Sequence, residues 1–306
     1  MDANKISVVI NTYNAEKFLK RVLDSVKDFD EIVVCDMEST DNTVAIAKEY
    51  GCKVVVFPKG DCVSAEPART FAIQSATMKW VLVLDADELV TPELKKYLYE
   101  HISHKDAAEG LWIPRKNYFM GRFMHSTYPD YLLRFFIKED TTWPPYVHTF
   151  PIVKGRQEKI PAKRKELAFI HLANENVRTM VGKTNQYTES EVEKKKNKNY
   201  GIAALIYRPM FRFFKSYILK GGIRDGKVGF ICACYDGFYQ FIAVCKILEK
   251  KYRKEFLNSN SLFDSIFIYS QYLGIEFTIR QIVIEIFFCL FAYSLFCGNG
   301  CANGSC

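Results

Sequence analysis

No glycine-rich phosphate loop occurs in this sequence. Neither G-x-G-x-x-G nor G-x-x-x-x-G-K-S/T is present, which argues against dinucleotide-binding and P-loop enzymes. A signal-type apolar run is also missing near the start. Met1 to Lys5 lead directly into a β-branched stretch, so the chain is expected to stay in the cytoplasm. The apolar stretch from Ile282 to Cys297 holds sixteen residues and includes Glu285, Tyr293 and Ser294. That falls short of the roughly 20 residues needed to cross a bilayer, so a helix lying in the interface or packed on the body is expected. Histidine is absent around Cys297, Cys301 and Cys306 in the Gly/Asn/Ser-rich tail, which makes a zinc site a weak reading and a disordered end the better one. The other cysteines are scattered through apparent strands and helices, among them Cys35, Cys52, Cys232 and Cys245, as buried free thiols usually are.

What is present describes a well-packed α/β protein. Hydrophobic residues make up 49% and charged residues 25% of 306, enough for one large domain or one domain with an appended unit. Ile6–Ile10, Glu31–Cys35, Lys53–Phe57 and Trp80–Leu84 are short β-branched or apolar runs that read as buried strands. Helical patterns separate them. The first is expected to be capped by Asn14 and to turn Phe18, Leu19, Val22, Leu23 and Val26 to one face; the second runs from Thr43 to Tyr50 and stops at Gly51, and the third covers Ala68 to Ala76. This alternation predicts a mostly parallel sheet with helices on both faces. Ligands of such sheets bind beyond the carboxyl ends of the strands, where Asn11, Thr12, Asp36, Asp85 and Asp87 fall.

Asp85-Ala86-Asp87-Glu88 is the sharpest feature. Two carboxylates one residue apart at a strand end suit a hard cation, Mg²⁺ or Mn²⁺, which completes its shell with phosphate oxygens and water. Thr91-Pro92 then reads as a capped helix entry.

At these residues the chain resembles glycosyltransferase family 2, with its GT-A (Rossmann-like) fold. SVVINTYNAEKFL resembles the family's first strand and turn, VVCDMESTDNT its nucleoside-holding segment, and LDADE its metal-binding motif. PARTFAIQSATMKWVLVLDADE, IPRKNYFMGRFM, YPDYLLRFF and RFFKSYILKGGIRDGKVGF extend the likeness to the lipopolysaccharide inner-core β-1,4-glucosyltransferases, over roughly residues 5 to 250. The resemblance implies an inverting, metal-dependent hexose transfer, with UDP-glucose as the favoured donor and a lipid-linked saccharide as acceptor. Peptide or other polymer acceptors remain open, since some relatives use them.

The same resemblance assigns roles. Asp36 would bind the uridine, with Asn11, Thr12 and Tyr13 lining the base pocket. Asp85 would contact ribose or metal, Asp87 would ligate the metal, and Arg69 would offset diphosphate charge. Asp130 would be the general base, with Arg134 orienting it or touching phosphate. His148 and His171 are candidates for the metal shell, although relatives carry His-Glu where this chain has His148-Thr149. Trp112, Trp143 and Tyr146 are read as core packing before sugar stacking.

Four regions are expected: 1–100 for the nucleotide sugar, 101–172 for the acceptor half, 173–254 as a helical basic and aromatic extension, and 255–306 as an apolar helix and tail. Glu175 to Tyr200 reads as an exposed helix followed by a loop. From Arg208 to Lys227 there are six Lys/Arg and one acid, interleaved with Phe211, Phe213, Phe214 and Tyr217. That mixture fits peripheral contact with the inner face of the cytoplasmic membrane; an ordinary solvated basic face is the alternative, and nucleic acid is not expected as a partner. A haloacid-dehalogenase-type phosphatase also carries Asp-x-Asp, but there the motif opens the domain, whereas three βα units precede it here. A non-catalytic descendant has only the altered Thr149 in its favour.

Overall fold

A computed structural model of the chain describes residues 4–272 except 61, 63–64, 140, 146–148, 173–176, 196–197 and 199. His148, Tyr146 and the segment 273–306, with its cysteines and apolar stretch, therefore lie outside the described residues. The chain divides into two compact units, 1–244 and 245–306.

The first unit opens with β1 (Ile6–Thr12), α1 (Glu16–Val26), β2 (Glu31–Asp36), α2 (Thr43–Glu49), β3 (Lys53–Val56), α3 (Glu66–Gln74) and β4 (Trp80–Asp85). The order β3-β2-β1-β4 is parallel throughout. Alternation along each strand sends side chains to opposite faces. Val8, Ile10, Val34, Leu82 and Leu84 meet α1 and the later helix on one side, while Val9, Val33, Val81 and Val83 meet α3 on the other. Both faces are dry, as the apolar runs require.

The helix starts are less local than the sequence implies. Asn14 does not cap α1. Its φ of 48° puts it in the left-handed region, which asparagine tolerates, and its Oδ1 accepts from the Thr40 N–H at 2.8 Å. The first turn of α1 is satisfied from the β2–α2 loop instead, by Thr43 Oγ1 and Asp41 Oδ2. One stretch of loop thus fastens two βα units at the ligand edge of the sheet. Thr91, by contrast, caps its helix as expected, accepting from Leu94 N at 3.1 Å.

β5 (Glu88–Leu89), α4 (Pro92–Ser103), β6 (Gly110–Phe119), β7 (Arg122–Phe123), β8 (Asp130–Ile137), β9 (Thr141–Thr142), β10 (Ile152–Val153), β11 (Gln157–Lys159) and β12 (Phe169–His171) follow. The sheet continues β4-β8-β6-β12-β5, with β8 antiparallel to both β4 and β6. The result is an α/β fold on a mixed sheet.

α5 (Val177–Lys194), α6 (Ala204–Phe214) and α7 (Gly226–Tyr272) complete the helices; of α7, residues to 244 belong to the first unit. By length and composition alone, Gly222–Arg253 is apolar enough to cross a membrane, at a mean hydropathy of 1.5. α5 is not a free polar helix. Thr184 and Thr188 are buried, and Tyr235 of α7 hydrogen-bonds to Thr184 and to the Met180 carbonyl.

The glycines of the GGIRDGKVG stretch have steric reasons. Gly221 and Gly226 have φ of 75° and 61°, where side chains are strained. A Cβ on Gly229 would stand 2.0 Å from the Gly222 carbonyl oxygen. Asp225 is buried between them and accepts from the backbone N–H of His125 and Ser126, tying this bend to the β7–β8 connection. Gly229→Ala is therefore expected to cost about 1–3 kcal/mol through forced backbone movement. Gly182→Ala on α5, where a Cβ meets nothing within 4 Å, is expected to be stabilising by up to about 1 kcal/mol; thermal melts of the pair check the contrast.

Candidate active site

A cleft of about 980 Å³ opens at the carboxyl ends of β1 and β4. Its lining brings together Asn11, Tyr13, Arg69, Asp85, Asp87, Asp130, Arg134 and His171, each singled out from the sequence. Thr12 and Asp36 do not line it. Both are buried, and the Asp36 carboxylate is occupied by Thr12 Oγ1 at 2.9 Å, Ser39 Oγ at 2.6 Å and Ser39 N at 2.8 Å.

Strand register assembles the site. Asp85 ends β4 opposite Asn11 of β1. On the other side of β4, Asp130 of β8 stands opposite Arg115 of β6, Asn117 of β6 opposite His171 of β12, and His171 opposite Glu88 of β5. Arg115 and Asn117 are two residues apart on one strand and so share a face.

Three arginines, Arg69 and Arg134 buried and Arg115 partly so, answer three carboxylates. Arg69 Nη2 and Arg134 Nη2 donate to the two oxygens of Asp85 at 2.7 and 2.8 Å. Arg115 donates through Nη1 to Glu88 at 2.8 Å and through Nε and Nη2 to Asp130 Oδ2 at 2.9 and 2.6 Å. Glu88 is fully buried, and its other oxygen accepts the Asp85 backbone N–H. Burial alone would raise the Asp85 carboxyl, but Arg134 and Arg69 together hold it well below the ordinary carboxylate range. Burial likewise opposes ionisation of Asp130, and Arg115 and Asn117 overcome it and lower its pKa. The expectation that Asp85 faces a metal meets an obstacle in this arrangement, because both of its oxygens already hold guanidinium donors.

Trp143 is buried in the core, as expected, and also borders the cleft. The guanidinium groups of Arg69 and Arg134 lie 4.7 and 5.2 Å from its ring centre, a cation–π contact with both. Trp112, for its part, donates to Gln157 Oε1 and packs against Phe150.

Asp87 stands outside this lattice. Its side chain is 29% exposed, and His171 Nε2 lies 3.6 Å from its Oδ2, too far for a hydrogen bond. The tautomer of His171 follows from its neighbours. Asn117 Nδ2 donates to Asp130 Oδ2 at 3.0 Å, so the Asn117 oxygen faces His171 Nδ1 at 2.7 Å and must accept its proton. In the neutral ring, Nε2 then presents its lone pair toward the Asp87 carboxylate. Two ligands bound at about 2.1 Å to one hard cation stand roughly 3–4 Å apart, so the pair fits Mg²⁺ or Mn²⁺. No group of three or more His, Cys, Asp or Glu gathers to hold a metal among the described residues. The rest of a cation's shell would have to come from a ligand's oxygens and water.

The cleft also offers donors without acceptors. Asn11 Nδ2, Arg69 Nε and Nη1, Arg134 Nη1 and Trp143 Nε1 are buried and have no hydrogen-bond partner. Buried donors in that state cost about 1–3 kcal/mol each, and a polyanion would satisfy several at once. Sequence reading missed Arg115, Asn117 and Glu88, although the two-residue spacing in Ile113-Pro-Arg-Lys-Asn117 is the signal of one polar strand face. It also missed Lys183 and Tyr187, one turn apart on α5 and both at the cleft.

Asp85→Asn should leave Arg69 and Arg134 buried beside a neutral amide, and urea unfolding at pH 7 is expected to show a loss of about 3–5 kcal/mol. The folded pKa values of Asp85 and Asp130 lie below the unfolded value of about 3.9. Their contribution is therefore complete above that pH and is lost as pH falls through the lower folded values. In wild type, stability is expected to drop mainly below pH 4, and in Asp85→Asn the acid-dependent part should shrink.

Comparison with known proteins gives the arrangement its family. The model of the glycosyl transferase family 2 matches residues 7–156. A glycosyltransferase of Rickettsia felis is 28% identical over 263 residues, covering 80% of this chain and 90% of its own. The lipopolysaccharide core biosynthesis glycosyltransferase LpsC of Rhizobium meliloti is 24% identical over 256 residues, covering 80% and 92%. Among solved structures, the mannosyltransferase PcManGT from Pyrobaculum calidifontis, in complex with GDP-Man and Mn²⁺, superposes with a TM-score of 0.50 at 12% identity, covering 81% of this chain and 88% of that one. Residues 7–156, which carry β1 to β4 and the Asp85–Asp87 motif, are thus a glycosyl transferase family 2 domain.

Proposed function

We propose that this glycosyltransferase transfers a hexose, with UDP-glucose the favoured donor, to a lipid-linked saccharide with inversion at the anomeric carbon. The observation that carries the reading is one cleft holding Asp87 and His171 beside the unpartnered donors of Arg69, Arg134 and Asn11. A nucleoside diphosphate supplies what both halves lack: oxygens to share a cation and oxygens to accept from the arginines. The likeness to a relative named for lipopolysaccharide core biosynthesis supports the saccharide acceptor.

Asp87 and His171 Nε2 would hold Mg²⁺ or Mn²⁺. When bound, the cation offsets charge on the departing diphosphate. Arg69 and Arg134 are positioned by Asp85 and by the Trp143 ring, so their guanidinium charge stands at the cleft before any ligand arrives. Asn11 and Tyr13 would line the base pocket. Asp36 and Thr12, buried behind it, would support the β1 and β2 strand ends through their mutual hydrogen bond.

Asp130 accepts all three of its donors on Oδ2, which leaves Oδ1 to take the acceptor's hydroxyl proton. Its low pKa keeps it ionised at neutral pH. It would receive the proton as the hydroxyl attacks the anomeric carbon and the bond to the diphosphate breaks on the opposite face. One displacement of this kind inverts the centre and needs no covalent sugar intermediate.

Titration calorimetry with UDP tests the donor site. Binding is expected with Mn²⁺ or Mg²⁺ and not with EDTA, and Asp87→Ala should weaken it by about a hundredfold or more. Metal-independent binding, or none to UDP or UDP-sugars, would remove the donor assignment. Asp130→Asn is expected to keep UDP affinity while kcat falls about 10²- to 10⁴-fold; an unchanged kcat would exclude Asp130 as the base.

A further inference from the structure

The segment that follows α5 forms an antiparallel helical hairpin. Arg208 Nη2 donates to Gln240 Oε1 at 3.0 Å, and Arg212 Nε lies 3.9 Å from Asp236 Oδ2. Phe213 and Tyr217 pack on Phe230 at ring distances of 5.5 and 5.6 Å. From Arg208–Gln240 through Arg212–Asp236 to Phe213 and Tyr217 on Phe230, rising numbers on the first arm meet lower ones on α7. Arg208 and Arg212 of the first arm thus have partners on the facing helix while remaining partly exposed.

The outward side is apolar. Ile206, Met210, Phe214 and Ile218 recur at four-residue steps, with Tyr207 and Phe211 beside them, all between 51% and 66% exposed. The tip adds Leu219 at 76% and Ile223 at 58%. Spacing of this kind normally turns an apolar stripe toward a core; here it turns toward solvent. Contiguous exposed apolar surface with a charged rim marks an interaction site.

The rim is cationic. Lys220, Arg224 and Lys227 are exposed at the tip and Lys215 is partly so, and none of the four forms an ion pair among the described residues. Residues 204–224 contain no acid. The acid that follows, Asp225, is buried on His125 and Ser126 and does not offset the surface charge.

We propose that this hairpin face is a docking surface for a bilayer containing anionic lipid, with the aromatic and aliphatic side chains in the interface and the tip cations at headgroup level. Charge decides between this occupant and a second copy of the chain. Self-association would set Lys215, Lys220, Arg224 and Lys227 near their own images with no acid on either face to answer them. An anionic headgroup layer answers every one, at about 1 kcal/mol per cation near the surface. Docking does not depend on which sugar is transferred, and it would hold a soluble catalytic cleft at the surface that presents a lipid-linked acceptor.

Co-sedimentation of the full chain with vesicles tests this without donor or acceptor. One set is phosphatidylcholine alone, the other phosphatidylcholine mixed with phosphatidylglycerol. Wild type is expected to prefer the anionic set, and more so at low salt. Lys220→Gln/Arg224→Gln/Lys227→Gln should lose affinity for it by on the order of a hundredfold. Phe211→Ser/Phe214→Ser should lose about tenfold or more while melting temperature and UDP binding stay at wild-type values. Absence of wild-type binding to both sets would overturn the proposal, as would binding left unchanged by the two variants. A dimer that Phe211→Ser/Phe214→Ser dissolves, without vesicle binding, would assign the face to a second copy instead.

Discussion

Pairing three arginines with three carboxylates at one sheet edge, Arg69, Arg134 and Glu88 buried and Arg115, Asp85 and Asp130 partly so, is the constraint on which the site depends. Arg69 and Arg134 are held on Asp85, and Arg115 is held on both Glu88 and Asp130. Removing any member leaves an unanswered charge in low dielectric, which is far costlier than the net worth of the pair. The lattice therefore fixes orientation more than it adds stability. It holds Arg69 and Arg134 at the cleft with N–H groups to spare, leaves one oxygen of Asp130 without a donor among the described residues, and keeps Asp87 out of the network. Under the proposed function, diphosphate, cation and hydroxyl would each meet one of these three kinds of group.

The hydrogen-bond chain from Arg115 through Asp130 and Asn117 to His171 links the acidic side chain to the imidazole that faces Asp87. Its consequence is a defined tautomer. With Nδ1 protonated by the demand of the Asn117 oxygen, Nε2 is the available nitrogen, and its distance from Asp87 suits a shared cation. Orientation of this sort by a second layer of hydrogen bonds is what fixes the tautomer of a histidine that ligates a metal.

Much of this architecture is legible in the amino-acid sequence. Ile6–Ile10, Glu31–Cys35 and Trp80–Leu84 announce buried parallel strands because they are apolar on both faces, and the Asp-x-Asp motif marks the ligand edge. Gly51 ends its helix as its position implies. Arg115 and Asn117 are not legible because their roles arise from register: β6 meets β8 on one side and β12 on the other, and neither neighbour is consecutive in sequence. Asn14 fails as a cap because a loop from the next βα unit takes that task. Asp36 and Thr12 satisfy each other, a pairing set by the parallel alignment of β1 and β2. The basic stretch from Arg208 reads as one charged surface, yet Arg208 and Arg212 find partners on α7 and the later cations are without ion pairs among the described residues. Its glycines, motif-like in sequence, are explained by backbone approach at Gly222 and Gly229 and by positive φ at Gly221 and Gly226.

The most direct test of the account is the position of Mn²⁺, read from anomalous scattering in crystals grown with UDP. The account predicts one peak within bonding distance of Asp87, near His171 Nε2, with Asp85 still held by Arg69 and Arg134. A peak on the Asp85 carboxylate, with the two arginines displaced from it, would contradict the claim that the charge lattice reserves Asp87 for the cation.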